Sequence, residues 1–312
     1  MAANLVKINS ASLFAPGVRR HQQMVGHTHH NCRVGDYTLK GVLGNGREGT
    51  KLYSAEHLPT GKLVALKICT LSLAPPIKRW NSYRVKRFLA EAHLLRKLNQ
   101  AGVSGIVQHI SHGAFRDKGI LVMEVVDGIS LLEECGLRQK FSPADTFMVG
   151  KQVCHTLLAM QELKIPHLDI KPGNIHLVDE NKVILLDFGA AASEWAGLRQ
   201  RGTAFGSPRY LSPEANDGLE LDFRSDIFSL GLTLCTLLCG KAPPNFFLET
   251  EHSLYDRHFT TWFHPRALGI GTGLNILEKM LQKDPDKRHD DLTVLHRELS
   301  EAAEYYRATP QK

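Results

Sequence analysis

No apolar run in this sequence reaches the ~18 residues that would cross a bilayer, so no membrane span is expected. No secretory leader is expected either, because Leu13-Phe14-Ala15 is broken at once by Pro16-Gly17. The six cysteines, Cys32, Cys69, Cys135, Cys154, Cys235 and Cys239, show no metal-knuckle spacing. Cys235 and Cys239 would share one helix face, where disulfide geometry is poor. Free thiols buried in a reducing compartment are the simplest account, which implies a cytoplasmic protein and leaves delivery into another cell open. There is no internal repeat and no dense basic run. Lysine and arginine number 38 against 32 acids, a formal charge of +6. That excess suits an anionic ligand, but it supports no nucleic-acid partner.

What is present is ordinary globular material. The 312 residues are 43% hydrophobic and 22% charged, which excludes disordered, collagen-like and coiled-coil classes and provides a core. Residues 1–35 are polar and punctuated by Gly17, Gly26 and Gly35, and read as a flexible extension. Short β-like runs follow at 37–42, 51–56 and 62–70, then a helical stretch at 84–99 and strands at 106–115 and 119–125. Beyond Asp127 the pattern turns helical, at 143–163, 223–239, 274–282 and 292–306, around a hairpin of 175–178 and 183–186 turning at Asp179-Glu180-Asn181. A strand-rich first third before a helix-rich remainder predicts an α+β protein of two lobes, 36–126 and 127–300, meeting in a cleft near 124–128, with a tail at 301–312.

Gly44-Asn45-Gly46-Arg47-Glu48-Gly49 lies between two strands. A dinucleotide site needs its glycines to open a helix, so a hairpin whose amides lie over phosphates fits better, and a plain glycine hairpin remains open. Val64-Ala65-Leu66-Lys67-Ile68 puts one lysine inside an apolar strand. A buried ammonium needs anions, and Glu91 on helix 84–99 would supply one; a lysine snorkelling to water is the other reading. His167-Leu168-Asp169-Ile170-Lys171-Pro172-Gly173-Asn174 gathers a carboxylate, a cation and an amide in one loop, and Asp187-Phe188-Gly189 follows the next apolar strand. Oxygens on two loop ends can hold Mg2+, which keeps phosphate oxygens and waters as its other ligands. Asp169 can then orient a hydroxyl or accept its proton.

Together these motifs resemble the eukaryotic-like protein kinase family, most closely bacterial Ser/Thr protein kinases, from about Gly35 to about Leu299. The resemblance implies a two-lobed kinase fold with a small β-rich N-lobe carrying one main helix, and a larger helical C-lobe. It implies transfer of the γ-phosphoryl group of ATP to Ser/Thr hydroxyls of protein substrates, with Mg2+ (or Mn2+ as substitute) and with autophosphorylation. Leu43, Gly44, Gly46 and Gly49 would cover the nucleotide, with Ala65 and His176 about the adenine. Lys67 would bind the α/β-phosphates and pair with Glu91. Met123 resembles the gatekeeper, and Glu124 to Val126 the hinge. Asp169 would be the catalytic base, Lys171 the γ-phosphate contact, and Asn174 and Asp187 the metal ligands. Thr203, Ser207 and Glu214 fall in the activation segment, Asp226 would brace the catalytic loop, and Arg288 would pair with Glu214. Phe188, His167, Leu95 and Ile110 would stack into an internal apolar column.

Several positions depart from the family pattern. Leu168 stands where many members carry an arginine that clamps a phosphorylated loop, so activity is not expected to depend on loop phosphorylation. Ser207 is expected to contact Asp169 and Lys171 rather than serve as the phosphosite. Glu48 replaces a capping aromatic and is expected to point outward. His176 would either make nucleotide binding pH-sensitive or stack as a neutral imidazole. Gly173 and Ser130 replace acids that some kinases use to select arginine-rich substrates. The run Arg84-Val85-Lys86-Arg87 reads as a solvated basic helix start, and His21, His27, His29, His30 and Cys32 as a histidine-rich part of the extension. The alternative function is a pseudokinase-like binding scaffold, whose mark would be loss of the lysine, the base or a metal ligand.

Overall fold

The computed structural model describes residues 32–45, 49–70, 78–115, 118–138, 140–179, 182–199, 206–244, 262 and 271–309. Gly46, Glu48, Thr203 and the histidines of 21–30 lie outside the described residues. Two compact units divide the chain, one of residues up to Ala101 with Val107–Asp127, the other of Gly102–Ile106 with Gly128 onward.

The first unit is a six-stranded antiparallel sheet with one long helix. Its strands are β1 (Arg33–Val34), β2 (Tyr37–Asn45), β3 (Lys51–His57), β4 (Lys62–Thr70), β5 (His109–Phe115) and β6 (Lys118–Met123), ordered β1-β2-β3-β4-β6-β5. Residues 33–34, expected within the extension, thus form an edge strand paired to β2. Alternation along β4 sorts its side chains between two faces. Val64, Leu66 and Ile68 join Tyr37, Leu39, Ala55, Ile120 and Val122 in an apolar cluster. Ala65, Lys67 and Cys69 take the opposite parity. Lysine therefore sits in an apolar strand without entering that cluster.

Helix α1 (Lys78–Gln100) packs on β5 and β6 and buries Phe88, Glu91, Ala92, Leu95 and Leu98. It begins at Lys78 rather than at 84, because neither proline nor glycine interrupts the sequence after Pro76.

The second unit is built on α3 (Pro143–Glu162), α6 (Phe223–Cys239) and the last helix, here α8 (Leu292–Ala308), with α3 packed along both. Ser142 caps α3 by accepting from the Asp145 amide, with proline at the first turn. Asp222 caps α6 by accepting from the Arg224 amide, and Gly240 ends it in the left-handed conformation. A small sheet, β7 (Ile129–Ser130), β8 (Ile175–Asp179) and β9 (Lys182–Leu185), contains the expected hairpin. The shorter helices are α2 (Leu131–Arg138), α4 (Gly189–Trp195), α5 (Pro213–Asn216) and α7 (Gly271–Met280).

Two expected boundaries move. The strand expected from 106 starts at His109. Ile106 instead bridges Leu185 in parallel, and Gly105 O accepts from Leu185 N at 2.8 Å, which fastens 102–106 to the second unit. The helix expected at 292–306 runs on to Ala308 through the residues set aside as a tail, because Ala302, Ala303 and Tyr306 extend its buried stripe. Among the described residues no helix is long and apolar enough to cross a membrane.

Candidate active site

In the first unit, β4 delivers Lys67 opposite Leu52 on one side and Leu121 on the other. Its Nζ donates to Glu91 Oε1 at 2.6 Å, and the two side chains are only 14% and 8% exposed. The ion pair expected from sequence is therefore formed, and the snorkelling alternative is not adopted. Gly44 pairs with Leu52 where β2 and β3 approach the turn, and Gly49 follows at φ +79°. Ala65 pairs with Met123 across the sheet, and both are buried. Glu124 leaves β6 with its amide donating to Gln108 O at 3.0 Å, while its carboxylate accepts from Gln108 N at 2.9 Å. Leu43 and Val126 are half-buried. Ile110 packs against the apolar cluster of the sheet.

In the second unit, the loop after α3 and the 3-10 turn Pro172–Asn174 converge on Asp169, which is 5% exposed. Asp169 Oδ2 accepts from Lys171 Nζ at 2.8 Å and from Asn174 Nδ2 at 3.1 Å. Asn174 Nδ2 also donates to Asp169 O at 2.9 Å. With its nitrogen so committed, Asn174 is left with Oδ1 as the atom to offer a cation. Lys171 Nζ further donates to Ser207 Oγ at 2.6 Å, the contact expected for that serine. Lys171 thus joins Asp169 to Ser207.

Asp187 follows the β8–β9 hairpin, two residues after β9 ends at Leu185. Leu186 N donates to Asn174 O at 2.8 Å, which ties its strand to the 3-10 turn. Asp187 holds φ +61°, a left-handed conformation that aspartate tolerates better than most residues. Phe188 is buried and meets His167 edge-on, with ring centroids 4.9 Å apart at 63°. Burial lowers the pKa of His167 to about 4, so it is neutral at physiological pH.

A buried carboxylate sets the loop. Asp226, fully enclosed at the start of α6, accepts from His167 N and Leu168 N, both at 2.7 Å. Leu168 is left-handed at φ +63°, costly for a leucine, and those two bonds hold it there. Burial raises the Asp226 pKa to about 7, against the lowering effect of the two amides. The brace read from sequence is present, and the strain it supports was not legible, since no residue type at 168 announces it.

Glu214 and Arg288 form a bidentate pair, Nη1–Oε1 2.7 Å and Nη2–Oε2 2.8 Å. Ser225 Oγ donates to Glu214 Oε1 at 2.7 Å, and the guanidinium lies 4.8 Å over the Phe228 ring. Burial alone would raise the Glu214 carboxyl, but the hydrogen bonds and charge of Arg288 hold it below its ordinary value.

His176 sits on β8 opposite Ser130. Its pKa is lowered by burial, against the raising effect of the nearby Glu133 carboxylate, which favours the neutral imidazole. Ser130 caps α2 reciprocally with Glu133: its hydroxyl accepts from Glu133 N at 3.2 Å, and Glu133 Oε2 accepts from Ser130 N at 3.0 Å.

This chain belongs to the protein kinase family, whose domain model matches residues 37–299. It is similar to a serine/threonine-protein kinase, Pkn1, of Myxococcus xanthus, 30% identical over 96% of this chain and 42% of that protein. It is also similar to the serine/threonine-protein kinase PknD of Mycobacterium tuberculosis, 32% identical over 68% of this chain and 31% of that one. A more distant likeness is to dst1 of Dictyostelium discoideum, 27% identical over 84% of this chain and 34% of the relative. The chain spans less than half the length of each of these relatives.

Proposed function

We propose that the chain is an active protein serine/threonine kinase, transferring the γ-phosphoryl group of Mg-ATP to Ser/Thr hydroxyls of protein substrates and of itself. The observation that carries this reading is the Asp169 cluster. One carboxylate holds Lys171 at 2.8 Å and Asn174 at 3.1 Å, and Lys171 reaches Ser207. Catalysis of this kind is mainly positioning and charge neutralisation of a loose transition state. Asp169 would orient the substrate hydroxyl and take its proton. Lys171, already poised between Asp169 and Ser207, would meet the transferred phosphoryl. Lys67, aligned by Glu91, would fix the α/β-phosphates, and Met123 with Glu124 to Val126 would border the adenine with Ala65, Leu43 and His176.

The donor set fits a hard divalent cation. Asn174 Oδ1 and the Asp187 carboxylate are oxygen ligands, few in number, as Mg2+ prefers when phosphates and water complete its shell. When bound, that ion would neutralise charge developing on the phosphates. A pseudokinase-like scaffold is disfavoured because Lys67, Glu91, Asp169, Asn174 and Asp187 are all present. Lys171 in the catalytic loop supports serine and threonine over tyrosine. Incubating the protein with radiolabelled ATP and a candidate proteome tests the proposal. Labelled serine and threonine should appear, and should fall by ~10²-fold or more in Asp187→Ala and on chelation of divalent metal. A well-folded wild type that labels nothing would overturn it.

A further inference from the structure

The inward stripe of α1 contains a cation that the family-based roles leave unused. Arg84, Phe88, Glu91 and Leu95 recur at helical spacing, and the last three are buried. Arg84 reads from sequence as part of a solvated basic start, yet it is half-buried, and its Nε is closed off from solvent with no hydrogen-bond partner. Among the described residues no carboxylate pairs with it. The guanidinium lies against the glycine turn: a Cβ on Gly49 would come 2.8 Å from Arg84 Nη2 and 3.8 Å from its Cζ.

Two routes connect this contact to the Lys67–Glu91 pair. Along α1, Arg84 and Glu91 are two turns apart on one face, about 10 Å. On the sheet side, Gly49 lies two residues before β3, whose Leu52 pairs with Lys67. Helix and strand therefore place a second cation beside the turn at a polyphosphate's distance from the first. A buried guanidinium N–H without an acceptor is costly, and its fork suits phosphate oxygens. We propose that Arg84 is a phosphate-binding residue of this site, contacting the terminal phosphates of the nucleoside triphosphate under the glycine turn. The inference rests on the kinase reading and adds a ligand contact to it. Gly49 is favoured as glycine by its φ of +79°, and a side chain there would push the guanidinium tip aside.

The test uses the full chain with Arg84→Ala, Arg84→Lys and Arg84→Gln, titrated with Mg-ATP and with adenosine. Arg84→Ala should weaken ATP binding about tenfold, the scale of one charge-assisted contact, and leave adenosine binding unchanged, with Arg84→Lys intermediate. If Arg84→Ala does not fold by thermal melting without nucleotide, Arg84→Gln, which keeps the bulk, provides the same comparison. Unchanged ATP affinity, or equal loss for ATP and adenosine, overturns the assignment. So does an identical loss in Glu48→Gln, which would make the turn's own carboxylate the partner. Wild type that fails to bind ATP would instead bring down the kinase reading, so the two failures are distinguishable.

Discussion

Arg288 and Glu214 are 0% and 7% exposed, so neither charge can fall back on water if its partner is removed. Arg288→Ala should therefore cost about 3–5 kcal/mol and lower the melting temperature by well over the effect of a surface substitution. The same pair gives an acid signature. Glu214 has a depressed folded pKa, so its contribution is present above the unfolded carboxylate value near 4.5 and is lost as pH falls through the lower folded one. Glu214→Gln should show a shallower loss of stability than wild type when both are unfolded by urea from pH 6 down to pH 3, and parallel curves would refute the linkage. Lys67, Asp169 and the Glu214–Arg288 pair were legible because each stands in a dense motif. Ser225 was not singled out, since a serine one residue before Asp226 carries no mark of the hydrogen bond it gives to Glu214. Arg84 was misread because composition reports charge and not direction. Its spacing of seven from Glu91 was the signal available.

Strands β3 and β4 and helices α3 and α6 follow their sequence periods closely, because alternation and capping agree there with tertiary packing. Among the helices not foreseen are α2 and α4. Ser130 with Glu133 three residues later is a capping box that announces α2, and Ala190-Ala191-Ala192 are the strongest helix formers directly after Gly189. Both signals were overshadowed by neighbouring motifs. Ser130→Ala should cost about 1 kcal/mol by removing the cap, measured by urea unfolding. Gly128 is a sharper case. A Cβ there would come 2.3 Å from Leu177 O on the facing strand, a backbone atom that cannot turn aside. Gly128→Ala should destabilise by ~1–3 kcal/mol and disturb the Ser130–His176 pairing. A variant as stable as wild type would show that the strands can separate freely.

Each of the two units buries apolar side chains of its own. The strongest prediction for the enzyme as a whole concerns control. Leu168 is buried, is fixed by Asp226 and carries no guanidinium. Arg209 is engaged by Pro243 O, and Arg199 is held by Gly218 O, Leu219 O and the Glu194 carboxylate. Phosphatase-treated and autophosphorylated enzyme should therefore turn over at rates of the same order, and a large gain on phosphorylation would contradict this account.

The continuation of α8 beyond the family match has a practical side. Tyr306 stacks on Phe147 with centroids 5.5 Å apart at 12°, and its hydroxyl accepts from Gly273 N at 3.0 Å. Gly273 itself has no room for a methyl group beneath Phe147. An expression fragment trimmed at 299, where the recognisable domain stops, would pull a keystone from three helices at once. It would expose Phe147 to water and yield an insoluble product for reasons unrelated to catalysis, whereas a fragment cut at 309 would keep the arch closed.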